Sequence, residues 1–244
     1  MLHYRSFGAG KTIIFLHGFL ESSTMWSYLP LNELNAHYVL IDLPGHGQSP
    51  LTDSGEIPSI RFMALQVLEV LNELNISEFS IVGHSLGAYV GLELCQLAPC
   101  QKLIFLNSNC WSDDEQKRRD RLRVADLVYS AKQHFIREAI PGLFGRKNEF
   151  QIEIKQLISE ANHMSADAIA YAALAMRERI DYTGEVLANP LKYVFIHGEL
   201  DMLVSIEQLN TRLPGIRIHF LPNAGHMSHV ESGNEVIVIL KEER

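Results

Sequence analysis

Short apolar runs recur along this chain, and helix-patterned stretches fill the intervals between them. The runs span residues 12–16, 38–43, 79–82, 102–106, 193–196 and 217–221, each bounded by glycine, proline, asparagine or another turn-forming residue. They are rich in β-branched and aromatic residues, as strands buried on both faces should be. Residues 60–74 carry Met63, Val67, Val70, Leu71 and Leu74 at three- and four-residue spacing, one face of a helix. Strands alternating with helices predict an α/β fold with a doubly wound, mostly parallel sheet. Residues 2–7 read as a further edge strand. At 244 residues the chain is long enough for one such domain with a substantial core.

The alternation stops between residues 111 and 189, where no strand pattern is present. Ser112 with Glu115 three residues on forms a capping box, predicting a helix start. Helix-like stretches follow at 133–140, 150–162 and 166–181, the first two separated by Pro141-Gly142 and the Lys147-Asn148 region. Ligands bind at the C-terminal edge of such sheets, so an all-helical insertion there predicts a lid. The expected organisation is a core in two parts, 1–110 and 190–244, with a helical lid at 111–189. Within the insertion, Asp113/Lys117, Asp114/Arg118 and Glu115/Arg119 are opposite charges at helical i,i+4 spacing, which predicts a solvated face rather than an anion site. Trp111, Phe135, Phe144 and Met176 read equally as pocket lining and as lid core.

Composition narrows the partners. A formal net charge of -8 argues against nucleic acid, whose phosphates call for a basic surface. No apolar run approaches the roughly 20 residues of a membrane helix. The sequence from Met1 has neither a charged n-region nor an apolar h-region, so no signal peptide is expected. Three cysteines without metal-ligand spacing, Cys95, Cys100 and Cys110, suit a reduced, cytoplasmic setting. The histidines lack metal spacing and no phosphate-binding glycine loop is present, so neither metal nor cofactor is expected.

The segment Gly83-His84-Ser85-Leu86-Gly87 lies between a strand pattern and a helix pattern. A serine with glycine two residues away on both sides, in that context, is a nucleophile elbow. The turn is so tight that side chains at either glycine would clash with the neighbouring strand or helix. A serine hydroxyl needs a base within reach and an acid to orient that base. After the insertion, the run 193–196 leads into His197-Gly198-Glu199-Leu200-Asp201, and the run 217–221 leads into Pro222-Asn223-Ala224-Gly225-His226. Asp201 is thus the expected acid, with Glu199 as its competitor, and His226 the expected base, with His229 as its competitor. The preceding strand ends in Asn107-Ser108-Asn109 and offers no carboxylate. Donors for an oxyanion are expected from the backbone amides of Leu86 and Phe19. His17 is expected to brace its loop.

These motifs resemble the α/β-hydrolase superfamily, and in particular its small, lidded bacterial members of the esterase and acyl-hydrolase type. The resemblance rests on His17-Gly18-Phe19, Asp42-Leu43-Pro44-Gly45-His46-Gly47-Gln48-Ser49, residues 83–87, residues 198–201 and Gly225-His226. It covers essentially everything outside the insertion. It implies the α/β-hydrolase fold, the lid inserted after the sixth family-type strand, and a structural rather than catalytic Asp42. Tyr89 stands where the family branch that makes a menaquinone precursor by pyruvate elimination typically has arginine. Gly233-Asn234 stands where relatives often place a proline, and the resemblance implies a final helix over 236–240. The function implied is cleavage of a carboxylic ester or related acyl bond of a small to medium, mostly apolar small-molecule substrate. The same pocket also accommodates a small-molecule receptor or regulator, or a carbon–carbon hydrolase, lyase or perhydrolase. The oligomeric state has no signature in the sequence.

Overall fold

The computed structural model describes residues 1–51 and 57–243. Among the described residues, seven strands form one sheet: β1 (Tyr4–Gly8), β2 (Thr12–Leu16), β3 (His37–Ile41), β4 (Phe79–His84), β5 (Cys100–Leu106), β6 (Tyr193–Gly198) and β7 (Arg217–Leu221). Their spatial order is β1-β3-β2-β4-β5-β6-β7, with β1 the antiparallel edge and every other pairing parallel. The predicted runs are all strands, with ends shifted by one or two residues at several of them. The chain first adds β3 on one side of β2 and then returns to add β4 on the other. The topological switch therefore lies between β2 and β4, where an open sheet of this kind leaves its ligand crevice.

Both faces of the sheet are buried, and side chains alternate between them with a period of two. Ile14, Leu16, Ile81, Leu103, Phe105 and Phe195 point into one layer with the helix α1 (Ile60–Glu73) and the helix α2 (Leu86–Leu97). Ile13, Phe15, Val82, Ile104 and Ile196 point into the other, against Trp26 and the C-terminal helix α9 (Gly233–Glu243). Phe105 and Phe195, on neighbouring strands, stack with ring centres 4.2 Å apart. The final helix implied by the resemblance thus runs farther in both directions than 236–240, with Val236, Ile237 and Leu240 on its buried side.

Between β5 and β6 lie α3 (Glu115–Ala139), α4 (Gln151–Ala161), α5 (Ala166–Arg177) and α6 (Thr183–Ala188), with no strand, and α7 (Ile206–Arg212) joins β6 to β7. Their own apolar cluster includes Val128, Ile136, Ile154, Leu157 and Ile169. The stretch expected at 133–140 is the end of α3, which is kinked at Ala131 by non-helical φ/ψ of -139° and 33°. The six-residue α6 is too short to leave a periodic signature and was not expected. Two expectations fail at the start of α3. The cap is Asp114, whose side chain accepts from the Lys117 amide at 2.8 Å, and not Ser112. Asp113 is drawn inward, 2.6 Å from Arg179 and 3.2 Å from Arg121, which takes Ser112 and Asp113 out of helical register. The charged face is accordingly not a ladder of i,i+4 pairs. Arg118 reaches Glu178 at the end of α5, Lys117 reaches the Leu203 carbonyl, and of the three expected pairs only Glu115 and Arg119 approach, at 3.9 Å. Phe135 and Phe144 belong to the insertion's own cluster, Trp111 and Met176 to the sheet-side one. None of the described helices is long and apolar enough to cross a membrane.

Candidate active site

Ser85 occupies the turn between β4 and α2 with φ 49° and ψ -112°, a left-handed φ that an L-residue with a side chain holds only under restraint. The restraint is visible on both sides of it. A Cβ on Gly83 would lie 2.6 Å from the Ala88 backbone, and one on Gly87 would run into the Leu16 carbonyl of β2. Ser85 donates its amide to the Leu106 carbonyl at 3.1 Å, and its own carbonyl accepts from Ser108 Oγ at 2.9 Å and from the Ala88 amide at 3.1 Å. Its side chain is half-buried at the C-terminal edge of the sheet.

Asp201 and His226 meet at the same edge. The loop after β6 carries Asp201 and the loop after β7 carries His226, and His226 Nδ1 lies 2.8 Å from Asp201 Oδ2. The other oxygen of Asp201 accepts the Leu203 amide at 2.8 Å and the Val204 amide at 3.3 Å, while Asn107 Nδ2 donates to Oδ2 at 3.1 Å. Burial would raise this carboxyl, but the charge and hydrogen bond of His226, with help from His197 and the loop amides, hold it far below the usual carboxylate range. Asp201 is therefore an ionised, immobilised acceptor for one ring nitrogen of His226. Its competitor Glu199 is exposed to solvent.

The oxyanion candidates flank the crevice. Leu86 opens α2, where a first-turn amide has no acceptor within the helix. Phe19 follows β2, and β2 and β4 are adjacent, with Leu16 opposite Gly83. His17 braces this loop as expected. Its Nδ1 lies 2.8 Å from the Gly18 carbonyl and its Nε2 accepts the Leu43 amide at 2.9 Å. Burial pushes His17 down, so it is neutral, and His46 beside it is pushed down to about 3 by burial and the neighbouring His17. Asp42 accepts the Ser23 amide at 2.6 Å and the Gln48 amide at 2.9 Å, the structural role implied for it.

A second buried acid–imidazole couple lies under these loops and was not anticipated. Glu21 Oε2 accepts the Gly18 amide at 2.6 Å and lies 2.9 Å from His84 Nδ1. His84 Nε2 lies 2.9 Å from the His226 carbonyl. With an acceptor at each ring nitrogen, His84 is suited to donate from both, which is the protonated form. Burial opposes charge on both residues. The mutual attraction prevails, raising His84 and bringing Glu21 down to about 2. The competing histidine, His229, is fully buried, lies 4.7 Å from the His84 ring centre and is driven neutral by burial and by His84. The available sequence signal was that Glu21 is the one carboxylate between residues 17 and 32.

Residues 13–238 match the alpha/beta hydrolase family. The chain is 27% identical to the dihydrolipoyllysine-residue acetyltransferase component of the acetoin cleaving system of Cupriavidus necator, over 97% of this chain and 64% of that longer protein. It is 26% identical to a pimeloyl-[acyl-carrier protein] methyl ester esterase of Aeromonas salmonicida, over 96% of both chains. Among solved structures it superposes on a thermophilic esterase from Thermogutta terrifontis with a TM-score of 0.89 at 24% identity, covering 99% of this chain and 92% of that one.

Proposed function

This chain is a member of the alpha/beta hydrolase family, and from that premise we propose that it is a serine hydrolase cleaving a carboxylic ester or related acyl bond of a small to medium, mostly apolar substrate. The observation that carries the reading is the 2.8 Å bond between Asp201 and His226 Nδ1 at the sheet edge that also bears the strained Ser85. With Nδ1 committed to Asp201, Nε2 is the ring nitrogen that takes the proton as Ser85 Oγ attacks the carbonyl carbon. Asp201 stabilises the imidazolium so formed. The amides of Phe19 and Leu86 hold the negative charge that develops on the carbonyl oxygen. The imidazolium then protonates the leaving oxygen, and His226 activates water to release the acyl group from Ser85.

The helical segment between β5 and β6 is, in this reading, a lid over residues 111–189. The half-buried Phe19, which packs against both the sheet-side cluster and the helical cluster containing Phe144 and Met227, supports an apolar acyl site beneath it. The esterase among the relatives supports ester cleavage over the receptor reading, and Tyr89, its ring covered by Arg179 at 4.3 Å, leaves no cation exposed one turn after the serine.

The test is hydrolysis of nitrophenyl esters of graded acyl length. In a comparable triad, loss of the serine or histidine costs about 2 × 10⁶ in turnover and loss of the acid about 3 × 10⁴. Ser85→Ala and His226→Ala are therefore expected to fall to background while Asp201→Asn keeps measurable turnover. Labelling of Ser85→Ala by a fluorophosphonate at the wild-type rate would overturn the assignment.

A further inference from the structure

The seat of His226 is built partly from the helical insertion. The turn after α3, residues 141–146, crosses the loop that carries His226 at backbone distance. The His226 amide donates to the Leu143 carbonyl at 2.8 Å. A Cβ on Gly145 would stand 2.9 Å from the Gly225 nitrogen, and one on Gly225 would run into the Gly145 nitrogen, so no side chain is accommodated at either. Two chain segments approach this closely only if their polar groups are satisfied between them.

Glu231, five residues after His226 at the end of the short helix α8 (Ser228–Glu231), satisfies them. Its buried carboxylate accepts from three amides: Gly225 at 2.6 Å and Gly145 at 3.3 Å on Oε2, and Arg146 at 2.7 Å on Oε1. The guanidinium of Arg146 returns to the Glu231 carbonyl at 2.5 Å. The rest of the loop is held with comparable completeness. The Gly225 carbonyl accepts from Asn107 Nδ2 at 2.9 Å and Ser228 Oγ at 3.2 Å, and the His226 carbonyl faces His84. The Gly225 amide and the His226 amide are thus the two backbone donors of this loop whose partners depend on the insertion or on the residue that clamps it.

We infer that Glu231 is a positioning residue for His226: by joining the amides of Gly225, Gly145 and Arg146 it makes the placement of the imidazole depend on the 141–146 turn of the insertion. The turn then belongs to the histidine's mount. The inference rests on His226 being the base of the proposed hydrolase. Three backbone donors converge on Glu231, and a glutamine there presents one acceptor and one donor. Whichever way its amide is turned, at least one backbone N–H faces another N–H, unsatisfied and buried.

The experiment compares wild type, Glu231→Gln and Arg146→Met, with Ser85→Ala as the control, using the best nitrophenyl ester. The readouts are kcat, KM, and the low-field proton resonance of His226 Nδ1–H at a temperature far below each melting midpoint. A displaced catalytic group costs up to about 10²-fold in rate, so Glu231→Gln is expected to lose about 10- to 100-fold in kcat with KM changed by no more than about threefold. The low-field resonance is expected to broaden while far-UV circular dichroism is unchanged. Arg146→Met, which leaves the Arg146 amide on Glu231 but removes the guanidinium contacts to the Glu231 carbonyl, to Glu149 and to the Phe150 ring, is expected to show the same kcat-selective loss at smaller size and supplies the test should Glu231→Gln fail to fold. Combining the two should cost less than the product of the single effects, since both act through one clamp. A wild-type kcat with an intact resonance in the folded variants would overturn the inference and reduce Glu231 to a fold staple. Full activity in Ser85→Ala would instead overturn the hydrolase reading beneath it.

Discussion

A single residue in this protein is often held by several parts of the chain, and Glu21 is the clearest case. It takes the amide of the loop after β2 and the ring of His84, the residue before the elbow serine. The pH dependence of this couple has a definite sign. The Glu21 carboxyl falls from 4.5 to about 2 on folding, so its contribution is present above 4.5 and lost as pH drops toward 2. The His84 ring is raised above 6.5, so its contribution is present below 6.5 and lost as pH climbs through the raised value. The pair therefore stabilises most between about pH 4.5 and 6.5. Urea melts across pH are expected to show Glu21→Gln less stable than wild type in that window, with the gap closing on both sides. A constant gap at every pH would contradict the charged form of the pair. Gly87 is held as tightly by sterics alone, and Gly87→Ala is expected to cost several kcal/mol, since its methyl meets the Leu16 carbonyl of a central strand.

At the scale of the element, the helical insertion is fastened where it leaves and rejoins the sheet. The Tyr182 amide donates to the Cys110 carbonyl at 2.8 Å and Arg179 Nε donates to the Trp111 carbonyl at 2.9 Å. Between these bonds sits the ion pair of Asp113 and Arg179, with side chains 0% and 4% exposed. A buried pair broken from one side leaves a charge with nothing to balance it. Asp113→Leu is thus expected to destabilise the protein by about 3 kcal/mol in chemical denaturation, and Asp113→Leu with Arg179→Met by distinctly less. The same ion pair explains why the start of α3 escaped a reading by spacing. Ser112 and Glu115 satisfy the capping pattern, but the demand of a distant arginine on Asp113 moved the cap to Asp114.

For the molecule as a whole, the core is two apolar layers on a sheet buried on both sides, and its thiols report on that burial. Cys95, Cys100 and Cys110 are free and buried, and burial pushes the Cys110 thiol up to about 12. An aromatic disulfide reagent is expected to modify Cys110 only as fast as the protein unfolds, with no fast phase at neutral pH. Phe105→Ala, removing a ring stacked on Phe195 at the centre of one layer, is expected to cost about 3–5 kcal/mol by the same denaturation assay. The succession of strands along the chain, the elbow and the loops bearing Asp201 and His226 were legible in the sequence because each is encoded locally, by apolar runs with a period set by the backbone and by glycines that a tight turn demands, whereas the spatial order of the strands was not. His17 was legible as a brace from its place in the loop after β2, whereas the structural role of Asp42 came only from the family resemblance. What the sequence could not carry was any partner chosen at long range. The meeting of Glu21 with His84, of Asp113 with Arg179 and of Glu231 with Gly145 spans tens of residues or more, and each depends on burial that only the packed layers create. Local spacing determined which elements form and which loops bear Ser85, Asp201 and His226; low dielectric and close packing in the folded chain decided which charges pair and how the histidine is held.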